Sequence, residues 1–139
     1  MKRMIFSWCI ILVLASMVFV SYAKMEKTAI SEGNLADLKG KWVGSRTVGM
    51  MTSNTDLEIS NDSLPVQVKL IFYDVKKARK ATTTEIKDFK GKINDQGNLF
   101  HKGPDNEVEL SLYKDDGKMK LEGTFYWFGS KGTMSFEKK

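Results

Sequence analysis

From residue 40 to the end of the chain, apolar and polar side chains alternate one by one in several separate segments. Val66, Val68, Leu70 and Phe72 alternate with Gln67, Lys69, Ile71 and Tyr73. Val108, Leu110 and Leu112 alternate with Glu107, Glu109, Ser111 and Tyr113. Met119, Leu121, Gly123, Phe125 and Trp127 alternate with Lys118, Lys120, Glu122, Thr124 and Tyr126. A period of two sends successive side chains to opposite faces of a β-strand, whereas a helical face requires a period of 3.6. No long stretch in this part holds the helical period, so the chain is committed to sheet with one wet side.

Weaker segments at 41–51, 55–60, 82–94, 98–102 and 133–138 bring the predicted count to about eight strands. Between the strands lie Asn61-Asp62-Ser63, Asp95-Gln96-Gly97, Gly103-Pro104-Asp105-Asn106, Asp115-Asp116-Gly117 and Gly129-Ser130-Lys131-Gly132. Gly and Asn supply positive φ in such turns, and Asp bonds to its own backbone. Loops this short join antiparallel neighbours, and a meander of this length closes to remove its edges. The prediction is therefore an all-β, eight-stranded, antiparallel up-and-down barrel. In 82–94 the parity slips, with Ile86 on one face and Phe89 and Ile93 on the other, which predicts a bulge or bend near Gly91. Gly44, Gly49 and Gly123 are further candidate bends. The predicted interior is filled by Trp42, Leu57, Ile59, Val66, Val68, Leu70, Phe72, Leu99, Val108, Leu110, Leu112, Leu121, Phe125, Trp127 and Phe136, which leaves room for a modest pocket at one end.

The first residues set the compartment. Lys2 and Arg3 precede an uncharged apolar run over 4–20, and Ser21-Tyr22-Ala23 offers a small-residue cleavage site. Residues 1–23 thus read as a secretory signal peptide, and the domain is expected to work outside the cytoplasm, in a periplasm or secreted. If it is retained, the same run is a membrane anchor and the only membrane contact expected. The segment 24–37 reads as a tail with one helical turn near 34–38, and 38–139 as the barrel domain. From residue 24 onward the chain carries 20 basic and 17 acidic residues and no cysteine, so packing and strand pairing must hold it together without disulfides.

Leu38-Lys39-Gly40-Lys41-Trp42-Val43-Gly44 places a Gly-x-Trp at the start of the first barrel strand. With the meander over 40–139, this resembles the calycin superfamily of lipocalins, fatty-acid-binding proteins, avidins and bacterial metalloprotease inhibitors. The resemblance implies that Trp42 packs across the closed end of a barrel. Beyond residue 24 the arginines are Arg46 and Arg79, so the late arginine with which lipocalins cover that tryptophan has no counterpart. The Thr-Asp-Tyr motif of kernel lipocalins and the disulfide of the inhibitors also have none, and no ligand chemistry is carried over.

Catalytic constellations are nearly missing. His101 is the only histidine, and Cys9 falls in the leader, so neither a histidine metal cluster nor a thiolate site can be assembled. Asp115-Asp116 sits in a turn beside Gly117, where it caps backbone. His101 reads as a solvent-facing strand residue, and Met119 and Met134 as core. No enzyme activity, cofactor or metal is expected. Nor is nucleic acid, because the protein is exported and no aromatic residue interleaves its cations.

Two kinds of site remain. Arg46 shares parity with Trp42 and Val48, so a regular strand points it inward, where a guanidinium needs a pairing anion; a bulge at Gly44 would turn it out. With Trp42, Phe72, Phe125 and Trp127 it makes a candidate site for a small hydrophobic or anionic amphipathic ligand. The alternative is a filled barrel that meets an envelope protein through its surface. Tyr126 and Phe128 must face outward if Trp127 faces inward, and Lys76, Lys77, Arg79 and Lys80 form a basic loop. The same cations equally suit a solvated hairpin tip.

Overall fold

The computed structural model describes residues 25–73, 84–127 and 129–139. In chain order these form β1 (Glu26–Thr28), a 3-10 turn (Glu32–Asn34), α1 (Leu35–Leu38), β2 (Gly40–Val48), β3 (Met51–Ile59), β4 (Val66–Tyr73), β5 (Thr84–Ile93), β6 (Leu99–Lys102), β7 (Asn106–Asp115), β8 (Lys118–Trp127) and β9 (Ser130–Lys138). Each strand from β2 to β9 pairs antiparallel with the next, and β9 returns to β2 with Trp42 opposite Lys138 and Thr47 opposite Thr133. The result is a closed, eight-stranded, up-and-down antiparallel barrel. The expected signal peptide, the cations Lys76, Lys77, Arg79 and Lys80, and Phe128 lie outside the described residues.

The alternation in the sequence becomes the inside and outside of the barrel. Every residue of the predicted interior is buried except Trp127, which is partly exposed at one end. Closure leaves a single apolar space that eight strands can fill with their own side chains. Two glycines on the inward parity mark where the strands crowd. A Cβ on Gly44 would stand 1.9 Å from the carbonyl oxygen of Ser135, and one on Gly123 would stand 1.8 Å from that of Glu109. No side chain fits at such approaches, which let β2 and β8 bend tightly over their neighbours.

Several expectations are corrected. The first hairpin turns at Gly49-Met50, between Val48 and Met51, earlier than the sequence reading placed it. Gly49 has φ +59° at the first central position of this two-residue loop, where a primed turn requires it. Asp116-Gly117, with φ +38° and +82°, closes the hairpin between β7 and β8 in the same manner. The parity slip in β5 is not a bulge. Its ladder with β4 runs unbroken from Val66↔Gly91 to Tyr73↔Thr84, and Ile86 points outward with 53% of its surface exposed. His101 does not face solvent: it is half-buried, with its ring 4.9 Å from that of Phe89.

The segment before the barrel is more than a tail. β1 pairs with β7 through Glu26↔Lys114, Lys27↔Tyr113 and Thr28↔Leu112, on the edge that the short β6 leaves uncovered beyond Leu110. Ile30 donates its backbone N–H to Gly97 (2.8 Å), and Asn34 ties the turn together by accepting from Ser31 N–H (2.8 Å) and donating to Ala29 O (2.9 Å). Ile30, Leu35 and Leu38 then join the core and close that end of the barrel.

Candidate functional site

The two ends of the barrel differ. At the end beside α1, Trp42 is fully buried and donates its indole N–H to the carbonyl of Leu38 at 2.8 Å. Lys138 lies over the Trp42 ring, 5.8 Å from its centroid, and its ammonium donates to the backbone carbonyl of Asp37. Lys114 reaches the Asp37 carboxylate at 2.6 Å. The hydrogen bond from Lys114 is the main reason the Asp37 carboxyl titrates below the ordinary aspartate value. Trp42 therefore plugs the closed end.

At the opposite end, residues of five strands line an open cavity of about 210 Å³, with Glu85 and Ser130 exposed at its rim. Arg46 and Val48 come from β2, Phe72 from β4, Glu85 from β5, Phe125 and Trp127 from β8, and Ser130 from the start of β9. The ladders of β2 with β3 and β9 run without interruption through Gly44, so no bulge turns Arg46 away. Its guanidinium lies over the Phe72 ring at 4.5 Å from the centroid, and its Nη1 is shielded from solvent. Phe72 and Trp127 meet edge to face, with centroids 6.0 Å apart and planes at 60°. Lys87 places its ammonium 5.3 Å from the Trp127 centroid and 2.9 Å from the Glu85 carboxylate.

One inward polar group stands beneath this mouth. Thr55 is opposite Phe72 and Gly44, fully buried, and its hydroxyl has no hydrogen-bond partner among the described residues. Below it Leu57, Leu70, Trp42 and Phe136 fill the barrel completely. The wall beside the mouth is parted, because β5 and β6 share only Lys92↔Phe100 and Ile93↔Leu99. Past that point among the described residues, His101 spans the interval, with Nδ1 3.1 Å from the Lys90 carbonyl and Nε2 3.2 Å from Asn106 Oδ1.

Arg46, Phe72, Phe125 and Trp127 thus come together in one cavity, while Trp42 stands at the other end of the barrel, outside it. Tyr126 faces outward, 38% exposed, across from Glu107 and Lys131. Val48, Glu85 and Ser130 were not singled out in the sequence. Glu85 shares the parity of Phe89 and Ile93, which is the signal that would have found it. A second cavity, about 510 Å³, lies beside the closed end against Met25, Met119 and several lysines. It has no aromatic wall, and Lys120 and Lys138 there already bind Glu122 and the Asp37 carbonyl. No group of three or more His, Cys, Asp or Glu side chains among the described residues could hold a metal ion.

Comparison of the chain with protein-family models, with curated proteins and with solved structures finds no match. The closed eight-stranded barrel is consistent with a calycin-like fold, and no family is assigned on that ground.

Proposed function

We propose that this protein is an exported, non-catalytic calycin-like barrel that binds a small amphipathic, anionic ligand at its open end in the cell envelope. The observation that carries this reading is the Arg46 guanidinium laid on Phe72 inside an aromatic cavity. A guanidinium presents a fork of N–H donors that fits a carboxylate, and in a partly desolvated site that pairing is stronger than at an exposed surface. Phe72, Phe125, Trp127 and Val48 offer apolar area to the rest of the molecule. Among the described residues that line the mouth, the ionisable side chains are Arg46 and Glu85, and Glu85 is held by Lys87. Among the described residues no nucleophile stands beside a base there, which supports binding over catalysis. The leader-like residues 1–23 support export.

Tryptophan fluorescence titrated with aliphatic and aromatic carboxylates tests the reading. Saturable quenching or a spectral shift is the expected result; a folded sample that responds to no ligand overturns it.

A second reading, a filled barrel that meets an envelope protein, is favoured by Tyr126 and by Val43 and Ile86, which are exposed on the outer wall. Capture of a partner from envelope extract by the wild type, lost with Tyr126→Ser, would support that reading over the first.

A further inference from the structure

We infer that the mouth selects a compact planar aromatic carboxylate, one or two fused rings in size, over an aliphatic amphiphile of the same charge. This rests on the reading of the mouth as a ligand site and adds the class of ligand. Size is the first argument. An apolar cavity of about 150 Å³ accepts a benzene, whereas drug-sized ligands occupy about 300–1,000 Å³. At about 210 Å³ the mouth accommodates a ring system with its head group. An acyl chain has nowhere deeper to go, because Leu57, Leu70, Trp42 and Phe136 fill the barrel beneath.

The arrangement of the rings is the second argument. Phe72 and Trp127 stand at 60° to one another, and Phe125 also lines the space, so a flat molecule can take an offset or edge contact with each. Aromatic pairs favour such contacts at centroid separations of about 4.5–7 Å. A flexible chain would have to lose rotamer freedom to make the same contacts.

Charge is the third. Among the described residues, two cations, Arg46 and Lys87, adjoin the aromatic walls, beside one carboxylate, Glu85. The balance favours an anion, with its head group at Arg46 and its ring toward Trp127.

The test uses protein expressed from the full-length chain and three probes of similar size: 2-naphthoate, decanoate and the neutral 2-naphthylmethanol. The readout is the NMR signal of the Trp127 indole N–H, with the buried Trp42 indole at the far end as an internal control for folding. The expected result is a saturable shift of the Trp127 signal by 2-naphthoate, an unmoved Trp42 signal, and an affinity about tenfold or more above that for either other probe. Arg46→Gln should weaken 2-naphthoate by about tenfold and leave 2-naphthylmethanol unchanged. Decanoate binding as tightly as 2-naphthoate overturns the aromatic selection while leaving a ligand site in place. Equal binding of 2-naphthylmethanol overturns the role given to charge. If none of the three moves the Trp127 signal in folded protein, the ligand site itself is overturned. Competition between probes in the wild type gives the same ranking should Arg46→Gln fail to fold.

Discussion

Each end of this barrel holds a tryptophan with a lysine ammonium over its ring, Trp42 with Lys138 and Trp127 with Lys87. Around Trp42 the chain adds α1, buries the ring completely and gives its N–H to Leu38. Around Trp127 no helix is added among the described residues, the ring stays partly exposed, and a cavity of about 210 Å³ lies beside it. The contrast teaches that an aromatic–cation pair carries no function of its own. The neighbouring chain decides whether the pair becomes a plug or a wall. At the closed end Ile30, Leu35 and Leu38 supply the missing apolar surface; at the open end Arg46 stands where another core side chain would have been the ordinary choice.

The most severe way to break this comparison is to remove each tryptophan in turn. Trp42→Ala deletes a fully buried ring from a packed core and should cost about 3–5 kcal/mol. A domain of this size has about 5–15 kcal/mol to lose, so the variant should melt at a much lower denaturant concentration. Trp127→Ala removes a ring already partly in water and should cost less than half as much. Denaturant melts of the two variants beside the wild type decide it. Equal losses would mean that the open end is packed as tightly as the closed one, and the distinction would fall.

Much of this contrast was readable before the structure, and the unread part has a common cause. Alternation reports which face a side chain takes, because it depends only on neighbours along one strand. Thus the interior residues, the outward Tyr126 and the inward parity of Arg46 were legible, whereas only the unbroken ladders through Gly44 exclude the bulge that would have turned Arg46 out. The cavity was legible only in part: Arg46, Phe72, Phe125 and Trp127 could be grouped by parity, whereas Glu85 and Ser130 join them, and Trp42 parts from them, only after five strands have taken their register. β1 was hidden for a similar reason: Glu26-Lys27-Thr28 has no apolar pattern, and it becomes a strand because β7 has an uncovered edge. Ile86 misled because an apolar side chain was assumed to face inward, whereas single exposed apolar residues are ordinary on a protein surface.

A milder probe of the open end is Thr55→Val. A buried hydroxyl without a partner carries a desolvation cost, of about 1–3 kcal/mol when nothing offsets it, and valine has nearly the same shape. The substitution should therefore leave stability unchanged or raise it by about 1 kcal/mol, in contrast to any truncation at the closed end. A loss above that size would show that the Thr55 hydroxyl is satisfied in solution, by water entering from the mouth. The open end would then be wetter than its geometry implies.

The smallest effect sharpens the comparison from the other side. Asp37 fastens α1 to the barrel twice, through its carboxylate to Lys114 and through its backbone carbonyl to Lys138. Asp37→Asn removes only the charge. Both side chains of the Lys114 pair are more than one-third exposed, so solvent and salt screen it, and the loss at neutral pH should be at most about 1 kcal/mol. The sign with pH follows from the lowered carboxyl pKa. A group held below its unfolded value stabilises the fold above that value, near pH 4, and loses the contribution as pH falls through the folded one. The gap in stability between wild type and Asp37→Asn should thus be present at pH 7, shrink below about pH 4, and narrow in high salt. A gap that persists unchanged at pH 2 would mean that the asparagine disturbs α1 itself, and that the plug over Trp42 depends on helix geometry more than on its charged tie.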